Sequence, residues 1–84
     1  MTTQQKFESM LIERGMFESQ ATKVMEIAKP MFVEAMPNYK FTWDRPAEEY
    51  PDAVYTVGFL IVKRAAIQWI DEYLPRAWFR PIFL

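Results

Sequence analysis

Two residue types are missing from this chain of 84 residues: it has no cysteine and no histidine. Without cysteine there is no disulfide, no thiol nucleophile and no thiolate metal site, and a reducing compartment is compatible with the chain. Without histidine the usual neutral-pH proton shuttle and the commonest metal ligand are both gone. The only serines, Ser9 and Ser19, therefore have no histidine to activate them. Gly15 and Gly58 are the only glycines, which excludes a glycine-rich phosphate loop. Charge of one sign is scarce as well: ten basic and eleven acidic residues leave a net charge of −1. Long-range attraction to nucleic acid is weak at that balance, and the acidic excess is too small for a DNA mimic. The longest uncharged run, Ala53 to Val62, is ten residues, against the roughly 20 needed to cross a bilayer. The opening MTTQQK lacks an apolar signal core, so the expected location is the cytoplasm, with no membrane partner.

What the chain does have is apolar surface. Hydrophobic residues make up 51% and aromatics 17%. A single domain of this length buries only about 60–65% of its extended surface. Some of the large side chains should therefore lie at a partner interface.

The organising stretch is 51–74. At helical spacing Val54, Val57, Gly58, Ile61, Ala65 and Trp69 share one face. Tyr55, Phe59, Val62, Ala66, Ile70 and Tyr73 share a second. A helix apolar nearly all round must be covered nearly all round. Pro51 suits its first position, Asp52 complements its dipole, and Pro75 stops it. Gly58 costs about 1 kcal/mol in a helix relative to alanine, so it reads as a packing notch, expected near Ala28 or Ala35.

Upstream, Thr2 or Thr3 caps a first helix to about Arg14, with Phe7, Met10 and Leu11 on one face, and Gly15 ends it. Met16 and Phe17 are expected to anchor the turn. Ser19 is the expected cap of a second helix with the stripe Ala21, Val24, Met25, Ala28, Phe32, Ala35 and Met36. Pro30 interrupts that stripe, which predicts a kink with helix resuming beyond it. Methionines at 10, 16, 25, 31 and 36 fall on the helix stripes and fill core. In the stretch 38–49, Tyr39, Phe41 and Trp43 alternate with polar residues, the period of a strand. A lone strand cannot satisfy its backbone, so 39–43 is either a short strand with a partner or an ordered aromatic loop. One helical turn is expected at 46–49. The fold class is mainly α: one domain over 1–84, a small bundle of three main helices around the helix at 51–74.

No catalytic, cofactor or metal site is predicted. Glu48–Glu49 and Asp71–Glu72 are adjacent pairs, which point about 100° apart on a helix and share no site. The candidate partner-binding residues are Phe41 and Trp43 together with the C-terminal Arg76, Trp78, Phe79, Arg80, Ile82, Phe83 and Leu84. Arginine and aromatic residues dominate interface hot spots. Two placements of that tail stay open: folded back to complete the core, or presented to a partner or a second copy of the chain. Basic and aromatic residues interleaved around Lys63, Arg64, Trp69, Arg76, Trp78 and Arg80 also suit single-stranded nucleic acid, against which stands the acidic balance.

Two resemblances bear on function. The run MLIERGMFESQATKVMEIA resembles the first half of a ubiquitin-associated domain, with Gly15, Met16 and Phe17 in the turn and Ser19, Gln20 and Ala21 opening the next helix. The turn order departs from that family's Met-Gly-Phe or Met-Gly-Tyr. Pro30 and an aromatic insertion also stand where its third helix should follow, so ubiquitin binding is not carried over. In its shortness, lack of cysteine and apolar tail, and in the stretches RGMFESQA, WDRPAEEYPDAVY and RAWFRPIF, the chain resembles small bacteriophage-encoded proteins. That resemblance implies a non-enzymatic protein-binding module acting in the host cytoplasm, in its specific form an inhibitor of a host or defence protein. The alternatives are a nucleic-acid-associated accessory protein and a self-associating assembly subunit.

Overall fold

The computed structural model describes residues 1–73. Three helices follow in chain order: α1 (Thr3–Ile12), α2 (Glu18–Ala35) and α3 (Asp52–Tyr73), with a single 3₁₀ turn at Ala47–Glu49 before the last. The fold is mainly α, built as expected around the third helix, whose last expected residue, Leu74, lies outside the described residues.

Both ends of α1 and the start of α2 have local causes. The Thr2 hydroxyl accepts from the Gln5 N–H at 3.1 Å, and the Gln5 side chain accepts from the Thr2 N–H at 2.8 Å. This reciprocal pair satisfies donors that a helix start leaves orphaned. At the other end Gly15 takes a φ of +106°, open to glycine, and the Met16 N–H donates to the Leu11 carbonyl at 3.2 Å. Helix α2 starts before the expected cap at Ser19, which is exposed within its first turn. The side chain of Gln20 accepts from the Phe17 N–H at 2.9 Å, and Glu18 sits at the positive end of the dipole. Phe17 is thus a helix-start residue turned to solvent, while Met16 alone anchors the turn in the core.

Pro30 lies inside α2 and the helix continues past it to Ala35. The proline is on the exposed side, where water can meet the carbonyl that its missing N–H leaves free. The stripe Ala21, Val24, Met25, Ala28 and Phe32 is buried as expected, whereas Ala35 is exposed at the helix end. Helix α2 runs back along α3. Phe32 meets Gly58 near the start of α3, and Lys23 and Ile27 share a cleft with Trp69 near its end.

Both expected faces of α3 are buried at Val54, Tyr55, Phe59, Ile61, Val62, Ala65, Ala66, Trp69 and Ile70. Val57 is the exception at 53% exposed; with Leu60 and Ile67 it makes an apolar stripe on the outer side. Two packed helices cover only part of a third, which leaves this stripe outside. The helix reaches well beyond its ten-residue uncharged run, across Lys63 and Arg64. By length and composition it is the one helix among the described residues apolar enough to cross a membrane, with mean hydropathy 1.3 over an 18-residue stretch that is 56% buried inside the protein.

Gly58 is a notch, but not for the alanines of α2. A Cβ there would lie 2.8 Å from Phe7 Cζ and 3.1 Å from Phe32 Cε1. The missing side chain admits two phenylalanine rings from α1 and α2 at one point. Phe7 is fully buried at the hub of this packing, with ring centroids 5.3 Å from Phe32 and 5.0 Å from Tyr55. Burying a phenylalanine stabilises by about 1.5–3 kcal/mol.

Candidate functional site

The alternating stretch 39–43 forms no strand; it is an ordered aromatic loop. Its backbone finds partners at the start of α1. The Thr3 N–H donates to the Arg45 carbonyl at 2.8 Å, the Gln4 N–H to the Trp43 carbonyl at 3.1 Å, and the Ala47 N–H to the Met1 carbonyl at 3.0 Å. The first-turn N–H groups of α1, which have no partner within their own helix, thus hold the loop. The Thr3 hydroxyl adds a bond to the Arg45 carbonyl at 3.2 Å. Downstream, the buried Tyr55 hydroxyl donates to the Ala47 carbonyl at 2.6 Å. Arg45 and Glu49 form an exposed ion pair across the 3₁₀ turn.

The side chains of the loop follow from the same anchoring. Phe41 stacks on Trp43, centroids 5.1 Å apart and 16° from parallel, and on Tyr39 at 5.9 Å and 27°. Period-2 spacing puts all three on one side of the extended chain. Underneath, Phe32 meets Phe41 and Trp43 edge-on at 5.0 and 5.2 Å. Tyr50 closes the far side at 4.9 Å from Phe41, and its hydroxyl donates to the Lys40 carbonyl at 3.4 Å. Such aromatic pairs add about 0.5–1.5 kcal/mol each beyond burial. Phe41 and Trp43 are therefore half-buried parts of the core as well as surface residues.

Two clefts flank this ladder. One, of about 640 Å³, is lined by polar groups from α1 and the loop, including Glu8 and Asp44. The other, of about 340 Å³, lies between the second half of α2 and the loop, lined by Lys29, Phe32, Val33, Pro37, Tyr39, Lys40, Phe41 and Trp43. Val33 is 72% exposed and Tyr39 43% exposed at its edge. The Lys29 ammonium stands 5.8 Å from the centre of the Trp43 ring, which places a cation at the rim.

Of the expected partner-binding residues, the structure brings Phe41 and Trp43 together in this cleft. Arg76, Trp78, Phe79, Arg80, Ile82, Phe83 and Leu84 lie outside the described residues, as does any pairing of the tail with Phe41 and Trp43. Sequence reasoning missed Lys29, Val33, Pro37, Tyr39 and Lys40. The available signal was Val33, an apolar residue off the buried stripe of α2 and one turn after Lys29. Among the described residues no group of three or more carboxylates is placed to hold a metal ion. Compared with protein-family models, with curated proteins and with solved structures, the chain matches none of them.

Proposed function

We propose that the protein is a non-enzymatic protein-binding module whose recognition site is the aromatic cleft between α2 and the 37–43 loop. One observation carries this reading. An apolar cleft with exposed Val33 and Tyr39 at its edge is built on a loop fixed at both ends by backbone hydrogen bonds. A preformed site orders little on binding, which favours affinity. At about 340 Å³ it lies at the small end of ligand-pocket volumes, about 300 to 1,000 Å³, and has room for one or two inserted side chains. Within this reading, the resemblance to phage-encoded proteins favours an inhibitor of a host or defence protein in the host cytoplasm.

The test is selection of short peptides from a random display library on the intact protein. Binders are expected whose affinity is lost in Val33→Asp and kept in Leu60→Asp. Failure to enrich any peptide, or enriched peptides insensitive to Val33→Asp, would overturn the proposal.

A second reading rests on the stripe Val57, Leu60 and Ile67, which suits self-association through α3. Solution mass measured across a concentration series separates it: a dimer abolished by Leu60→Asp supports an assembly role, and a monomer throughout removes it.

A further inference from the structure

The two clefts beside the aromatic ladder differ in charge. Glu8 and Asp44 line the larger one beside Lys29. Among the described residues, the charged groups lining the smaller one are Lys29 and Lys40 alone, and the rest of its wall is apolar or aromatic. Both lysines sit on elements that the fold positions. Lys29 belongs to α2 and stands over the Trp43 ring, and the backbone of Lys40 is tied by the Tyr50 hydroxyl. A low-dielectric apolar wall strengthens the field of such cations at the cleft mouth.

We propose, resting on the protein-binding reading of this cleft, that its occupant is an acidic segment of a partner protein. An apolar side chain of that segment enters against Val33, Pro37 and Tyr39, and its carboxylates lie against Lys29 and Lys40. A single-stranded nucleic acid, the other anionic polymer, fits less well. Base stacking needs a free aromatic face. Tyr39 is 43% exposed, but Phe41 lies against both Tyr39 and Trp43, Trp43 carries the Lys29 ammonium and Phe32 meets both rings from beneath, so the ladder offers an outer ring rather than successive stacking platforms. At a net charge of −1 long-range attraction to a long polyanion is also weak.

The experiment reads the peptides selected on the intact protein. They are expected to carry aspartate or glutamate beside a large apolar residue, and to bind less tightly as salt rises. Lys40→Glu combined with Lys29→Gln should weaken them by about tenfold or more, and Lys40→Arg should not. An unchanged thermal melt of the double variant shows that the fold is intact. Neutral or basic peptides, enriched with unaltered dependence on Val33, would overturn the acidic partner and leave the protein-binding reading standing. Tighter binding of oligothymidylate than of any selected peptide would overturn it in favour of nucleic acid. No enrichment at all overturns both.

Discussion

At position 58 two opposing effects can be weighed. Alanine is favoured over glycine in a helix by about 1 kcal/mol. Here its Cβ would press on Phe7 and Phe32, both buried, with Phe7 ringed by Phe32, Phe41, Trp43 and Tyr55. A terminal ring atom could yield if the ring could turn, but its neighbours are rings too. Overpacking of this kind costs about 1–3 kcal/mol. Gly58→Ala is therefore expected to lower stability by up to about 2 kcal/mol in denaturant melts. Phe7→Leu in the same chain should remove most of the added cost, and a double-mutant cycle checks the coupling. Tyr55→Phe removes the hydroxyl bond to the Ala47 carbonyl and should cost about 1 kcal/mol. The hydrogen bond from Arg45 holds the Glu49 carboxyl below the usual carboxylate range. The stability it lends is present above the ordinary carboxylate pKa and disappears as pH falls through the lowered value. Both groups are exposed, so Glu49→Gln should flatten only a small part of the acid limb of the stability profile.

At the scale of the element, α3 offers a contrast between neighbours in sequence. Ile61 is 7% exposed and Leu60 63%. Ile61→Asp should cost about 3–5 kcal/mol, a large share of the total for so small a domain. Leu60→Asp should shift stability by about 0.5 kcal/mol or less. A pair of thermal melts decides whether the faces of this helix are assigned correctly. Pro30→Ala should stabilise α2 by about 1–3 kcal/mol, because the exposed proline forgoes one backbone bond within a continuous helix. Much at this scale was legible in the sequence. The helix periods, the left-handed stop at Gly15 and helix beyond Pro30 all follow from side-chain spacing and backbone chemistry. The start of α2 was not, because a glutamine reaching back to its cap competes with the serine that propensity favours. The exposure of Val57 was not either, since periodicity says which residues share a face but not how many neighbours come to cover it.

For the molecule as a whole, what the sequence concealed is where the loop goes. Tyr39, Phe41 and Trp43 alternate as a strand does, and the choice between strand and loop depends on whether a pairing edge exists. Here the first-turn N–H groups of α1 take that place, reaching from Thr3 to Arg45 and from Gln4 to Trp43. No local pattern reports such a bond. The same long-range docking sets the aromatic cleft beside α2, which explains why Phe41 and Trp43 could be named from sequence while Lys29 and Val33 could not. The loop is thus a fixed part of the fold, and the cleft beside it is formed in advance of any partner. Native-state amide hydrogen exchange at Thr3, Gln4 and Ala47 probes that anchoring. Helix-start amides exchange at nearly unprotected rates unless something accepts from them. Protection at all three is expected to be comparable to that at Val62 in the centre of α3; exchange at random-coil rates, with Val62 still protected, would show that the loop is not anchored.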